Sequence, residues 1–307
     1  MPDITMKTIL RNRVDRRRFL GRAGVGIAGF ATALSGTLLS SKPARAQALT
    51  DAEIFNFALN FEYLGAQYYL AALGKSLPTT LTGPGAGAVS LPTPSAVPFQ
   101  NQAVGYFAQQ LAVDEVAHVT VIQEALESEG VPPIPQPAIN LSTSWTTLAV
   151  AAGLIASGQT FNPFASETDF LLGAYVLEDV CVTALCGAAP LISSKTNLAY
   201  AASILGTEGY QVGMIRSRLS AIGAGAATDA ISALRSKLSN TVVSTGVDDF
   251  GTNANGNAFN FTNADVNAQA FRRTPQQVLA IAYGGGTAGG GFFPNGVNGS
   301  ITTTVSA

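Results

Sequence analysis

The sequence predicts an all-α protein, a four-helix bundle with a long crossover and an irregular C-terminal extension. Three observations carry that prediction. Four segments of more than 20 residues show helix-period apolar patterning, and a proline-interrupted stretch between the second and third can serve as a long crossover. Each of the four segments also places one glutamate near its middle within an apolar surface.

The chain opens on "VDRRRFLGRAG", a mildly apolar run and "ARAQA", which together read as an export leader over residues 1–46. Arg16 and Arg17, then Arg18, Phe19 and Leu20, match the twin-arginine pattern, with Asp15 in place of the commoner Ser or Thr. Residues 16–20 would engage the twin-arginine export machinery and deliver a periplasmic or extracellular protein, cleaved after Ala46. An uncleaved N-terminal anchor is the competing reading. Four glycines interrupt the run from Ala23 to Leu39, so it is weak as a span, and no later stretch reads as a stable membrane span.

Without the leader, eight Lys and Arg face 17 Asp and Glu, a net charge of −9. This balance argues against nucleic acid as a partner, because phosphate-backbone affinity needs clustered basic residues. Cys181 and Cys186 fall five apart in a helical pattern. That spacing sets their Cα atoms about 8 to 9 Å apart on faces about 140° apart, too far to bridge, so two buried free thiols are expected.

The bundle is expected over residues 47–240. Thr50-Asp51-Ala52-Glu53 is a capping box that starts a first helix at Asp51, and Gly74 stops it after Leu73. Five prolines between residues 75 and 98 predict a long surface loop. A second helix is predicted from Asn101 to Glu129, followed by the extended "VPPIPQPA", with a short helix around Trp145 over residues 143–157. A third runs from Ser166 to Leu191, and a fourth from Lys195 to Ile222 with Ser193 or Ser194 as cap. Residues 241–307 form a Gly/Asn/Thr-rich extension with one helical island near 275–282, signalled by Thr274-Pro275-Gln276-Gln277. For residues 284–307, an ordered covering and a disordered tail remain equally open.

The acids lie on the inner faces. Leu111, Glu115, His118, Ile122 and Ala125 are spaced 4, 3, 4, 3 along one stripe, and Ala201, Ile204, Glu208, Gln211 and Ile215 are spaced 3, 4, 3, 4. The third helix aligns Leu171, Ala174, Glu178, Cys181 and Leu185, and Glu62 sits in the apolar surface of the first. A single glutamate on an apolar face is commonly a wet edge residue, and a single histidine a satisfied core residue. Four such coincidences on four helices instead match the ligand layout of a two-metal carboxylate bundle.

Charge supports the same conclusion. No Lys or Arg occurs from 51 to 73, 101 to 129 or 166 to 191, and Arg216 and Arg218 project about 80° away from Glu208. Ionised carboxylates buried together cost several kcal/mol each unless protons or metals balance them. Two divalent cations would balance four carboxylates, with His118 a neutral ligand. Tyr63, Tyr175 and Tyr210 flank the acids and are expected to pack rather than react.

With Glu62, Glu115-x-x-His118, Glu178, "ILGTEGYQ" around Glu208, "RTPQQVLAIAYG" and "GGFFPNGVNG", the chain resembles the ferritin-like superfamily, and more closely the desiccation-related ferritin-like proteins. The resemblance implies one or two Fe or Mn ions used in oxygen or peroxide chemistry. Glu62 and Glu178 would be terminal or bridging ligands, Glu115 and His118 would serve one metal, and Glu208 the other. Gln211 stands where a complete site has a second histidine, and its amide oxygen is a weaker, neutral donor.

Two functions follow from this. One is an exported metal-binding protein with oxidase, peroxide-scavenging or iron-handling activity. The other is a non-catalytic, stress- or desiccation-related protective or structural envelope protein. No residue is singled out as catalytic, no organic cofactor motif occurs, and a homo-oligomer is compatible with either function.

Overall fold

The structure, a computed structural model, describes residues 49–240, 249–253, 260–265 and 267–305. The predicted leader lies outside the described residues. Four long helices build the body: α1 (Asp51–Ala72), α3 (Gln102–Ser128), α5 (Glu167–Ala188) and α6 (Lys195–Ala221). Between and after them come α2 (Thr79–Thr82), the strands β1 (Val89–Ser90) and β2 (Ile139–Asn140), α4 (Thr143–Ala151), α7 (Gly225–Ser239) and α8 (Pro275–Ala282). The ferritin-like all-α architecture is the one observed.

Local chemistry fixes the helix ends. Thr50 and Glu53 form the capping box of α1, each side chain accepting from the other's backbone N–H, at 2.8 and 3.2 Å. Asn101, Ser166 and Ser194 cap α3, α5 and α6 through their side-chain oxygens. The third long helix ends at Ala188 rather than Leu191 and closes in a 3-10 turn over Ala189–Leu191, because Pro190 cannot supply the next backbone donor. Asp51 then ties α6 to α1, accepting from the backbone of Ser193 and Ser194 at 2.7 and 2.9 Å.

α1 packs chiefly on α3 and α5 on α6, with α1 also meeting α5. The predicted loop is more regular than its prolines suggested. A single helical turn, α2, follows Pro78, and β1 pairs in parallel with β2, Val89 opposite Ile139. The helix around Trp145 is shorter than expected and ends at Ala151. The sequence reading did not anticipate α7.

The extension is a covering. α8 starts at the Thr274–Gln277 capping box and packs on α7 and α5. Phe292 and Phe293 are buried behind it, and Asn60 of α1 exchanges hydrogen bonds with the backbone of Asn298 at 2.9 and 3.0 Å. Residues 284–305 are thus ordered against the bundle.

Candidate metal centre

Each long helix delivers polar side chains to the bundle middle: Glu62 from α1, Glu115 and His118 from α3, Glu178 and Cys181 from α5, Glu208 and Gln211 from α6. The four glutamates, His118 and Gln211 are at most 7% exposed. His118 Nδ1 lies 3.3 Å from Glu62 Oε2, 3.3 Å from Glu208 Oε1 and 3.7 Å from Glu115 Oε1. One donor atom from each of Glu62, Glu115, His118 and Glu208 lies within 4.8 Å of the others. Glu178, Cys181 and Glu208 form a second group of the same width, so Glu208 belongs to both. The sequence reading had assigned Glu208 to one metal and had not counted Cys181.

Space for the cluster is made in the backbone. A Cβ on Gly65 would sit 2.1 Å from Glu115 Oε2, so only glycine at this point of α1 lets the α3 carboxylate reach inward. Tyr69, from the next turn of α1, donates its hydroxyl hydrogen to Glu178 Oε1 and fixes that carboxylate. No spacing rule singled out Gly65 or Tyr69, because both act across helices.

The remaining donors are orphaned. Glu62 Oε2, Glu115 Oε1, His118 Nδ1, Glu178 Oε2, Glu208 Oε2 and Gln211 Oε1 are buried without a hydrogen-bond partner. Buried polar atoms are otherwise almost always paired, so donors gathered at one place form a group that could hold a cation. Burial, then the charges of Glu208 and Glu62, hold Glu115 well above the usual carboxylate range. Burial, then Glu208 and Glu115, do the same to Glu178, and burial also raises Glu62. Burial would lower His118, but the neighbouring Glu208 and Glu62 outweigh it and raise the imidazole well above its ordinary value. Burial would raise Glu208, yet contacts with Glu178 and His118 leave it lowered. The shifts of Glu62, Glu115, Glu178 and His118 thus all favour the protonated form when no metal is bound. The donor set, four carboxylates with one imidazole, fits hard or borderline divalent cations such as Fe2+ and Mn2+.

Arginines are buried in this protein, but elsewhere. Arg216 and Arg235 reach Asp179 Oδ2 at 2.6 and 2.8 Å, while Arg235 and Arg273 reach Asp249 Oδ2 at 2.7 and 3.0 Å. Tyr175 lies under Arg235, whose guanidinium carbon is 4.5 Å from the ring centroid. This cluster joins α5, α6, α7 and the extension, and sequence reasoning missed it.

Of the three flanking tyrosines, Tyr175 belongs to that cluster, Tyr63 donates to the Ile134 carbonyl at 3.1 Å, and Tyr210 is 82% exposed. Gln211 donates its amide hydrogen to Asp114 Oδ2 at 3.0 Å. Both cysteines are free but only partly buried, a correction to the expected buried pair. Among the described residues, one helical stretch, Glu167–Leu191, is long and apolar enough to cross a membrane, and 72% of its most apolar window is buried inside the fold, as befits a core helix.

A helical bundle with glutamates on four helices and a buried histidine defines a ferritin-like protein, and residues 50–221 match the model of the ferritin-like domain, so the chain belongs to that family. It is 30% identical over 252 residues to the desiccation-related protein PCC13-62 of Craterostigma plantagineum, covering 75% of this chain and 76% of that one. It is 28% identical over 276 residues to the ferritin-like catalase Nec2 of Nesocodon mauritianus, covering 82% and 84%. No solved structure matches it significantly.

Proposed function

We propose that this is an exported, metal-dependent peroxide-scavenging protein, holding Fe or Mn in the buried cluster and converting hydrogen peroxide to water and dioxygen. The observation that carries the reading is the convergence of unpartnered donors from Glu62, Glu115, His118, Glu178 and Glu208 with no lysine or arginine among them. The similarity to a protein named as a ferritin-like catalase supports hydrogen peroxide as the substrate.

Glu62, Glu115 and His118 would hold one ion, Glu178 would hold the second, and Glu208 would be shared. Bound Fe or Mn supplies electron exchange with peroxide by cycling between oxidation states. The chain's own contribution is position: Tyr69 orients Glu178, and Gly65 admits Glu115. The apolar cavity lined by Phe57, Phe61, Glu62, Cys181 and Ile204 keeps bulk water away from one side.

Metal analysis of protein folded in metal-replete medium tests the proposal. About one to two Fe or Mn per chain are expected. Glu115→Ala should abolish both the metal and dioxygen release from peroxide. Metal-free wild-type protein, or undiminished dioxygen release by the variant, would overturn it. Changing Arg16 and Arg17 together to Lys should retain the precursor in the cytoplasm if export follows the twin-arginine route.

Gln211 favours a second reading, a protective envelope protein that keeps the ions without turnover, because its amide is engaged with Asp114 in place of a second imidazole. Metal-loaded protein that releases no dioxygen would select it.

A further inference from the structure

We infer that Cys181 is a thiolate ligand of the second metal position, completing it with Glu178 and Glu208 and making the two positions chemically unequal. This rests on the reading of the cluster as a metal centre. Cys181 follows Glu178 by three residues on α5, the spacing by which His118 follows Glu115 on α3, so both members of each pair face the same way. Its Sγ and one oxygen from each of Glu178 and Glu208 lie within 4.8 Å of one another. Metal–sulfur and metal–oxygen bonds of about 2.3 and 2.0–2.2 Å place opposed donors about 4.3–4.5 Å apart, so a small inward movement is enough.

Two independent features point to a ligand at this place. Glu178 Oε2 and Glu208 Oε2 are buried and unpartnered in residues only 1% exposed. Gln211 Oε1, three residues beyond Glu208 on α6, is likewise buried and unpartnered, its amide nitrogen being held by Asp114. Cys181 adds a softer donor to this group from α5.

Binding breaks the Cys181 S–H bond, forms a metal–sulfur bond and releases the proton to solvent, with no change of oxidation state. A thiolate beside two carboxylates suits borderline ions such as Fe2+, Co2+ or Zn2+ better than the harder Mn2+, whereas Glu62, Glu115 and His118 accept either. The first position should therefore tolerate Mn2+ while the second prefers a sulfur-accepting ion.

Titration of the metal-free mature chain with Co2+ tests this. Visible ligand-field bands report uptake, and a near-ultraviolet sulfur-to-cobalt charge-transfer band reports the thiolate. The wild type should show both, Cys181→Ser should keep the visible bands and lose the ultraviolet one, and Cys186→Ser should keep both. Visible bands without the ultraviolet band in the wild type overturn the thiolate ligand and leave the metal centre standing. No Co2+ uptake overturns both. A second readout needs no change at Cys181: in the Cys186→Ser protein, Co2+ should protect the remaining thiol from methyl methanethiosulfonate. Equal labelling with and without bound Co2+ counts against ligation.

Discussion

At the scale of single residues, the centre depends on what is left out as much as on what is present. Gly65 contributes no atoms to the cluster, yet an added Cβ would stand 2.1 Å from Glu115 Oε2. Gly65→Ala should therefore displace the Glu115 carboxylate, lower metal content per chain severalfold and cost about 1–3 kcal/mol through overpacking. Metal analysis and urea unfolding check the two effects, and a variant with full metal content would show that the carboxylate does not need that space. Tyr69→Phe removes the hydroxyl hydrogen that Glu178 Oε1 accepts. The metal-free variant should lose about 1–3 kcal/mol, the cost of an unsatisfied buried acceptor, and the loss should shrink when metal takes over the carboxylate. The inward-facing positions of Glu62, Glu115, His118, Glu178, Glu208 and Gln211 were legible because spacings of three and four place a side chain on a helix face whatever the neighbours. Gly65, Tyr69 and the membership of Glu208 in both side-chain groups were not, since each is a relation between helices, and a linear spacing carries no information about which helix lies opposite.

At the scale of elements, α5 serves two buried charge centres with adjacent residues. Glu178 and Asp179 are about 100° apart around the helix, so one faces the acid cluster while the other meets Arg216 and Arg235. The two centres thus have opposite character: an acidic one without lysine or arginine, and a paired one in which Asp179 and Asp249 answer three arginines. Asp179→Ala leaves Arg216 and Arg235 without a shared buried partner and should destabilise the protein by about 3–5 kcal/mol. The folded fraction should keep its metal stoichiometry, and loss of metal at full folding would show that the centres are coupled. The four long helices and α8 were readable from capping boxes and apolar periodicity. α7 was not, because its buried positions include Thr228, Ser232, Arg235, Ser236 and Ser239, which do not read as an apolar face. Its helix is held by hydroxyls and a guanidinium whose partners include groups far away in sequence, Asp179 and Tyr175 among them.

At the scale of the whole molecule, the extension and the protonation of the centre determine how stability varies with conditions. The Gly- and Asn-rich tail looks like a loop in sequence, yet Phe292, Phe293 and Val297 are buried against the bundle and Arg273 is held by Asp249. Its order is a property of the surface it covers. The metal-free centre stores protons that the unfolded chain would release. Glu62, Glu115 and Glu178 are raised above the ordinary value of 4.5, so their contribution to stability is present below that value and disappears as pH rises through their higher folded values. His118, raised above 6.5, acts with the same sign: its contribution is intact below 6.5 and is lost at higher pH. Glu208 opposes them, since its lowered value gives stability that is lost only as pH falls below 4.5, and Asp249 behaves likewise below 3.8. The metal-free protein should therefore melt at progressively lower temperature as pH rises above about 5. Divalent metal binds the same atoms after their protons leave, so its stabilisation should grow over that interval. Thermal melts of chelated and Fe2+- or Mn2+-loaded protein, the former without oxygen, should show a gap in Tm that widens with pH. A gap independent of pH would mean that metal and protons do not compete for the same oxygens, and the carboxylates would then be structural groups that happen to meet.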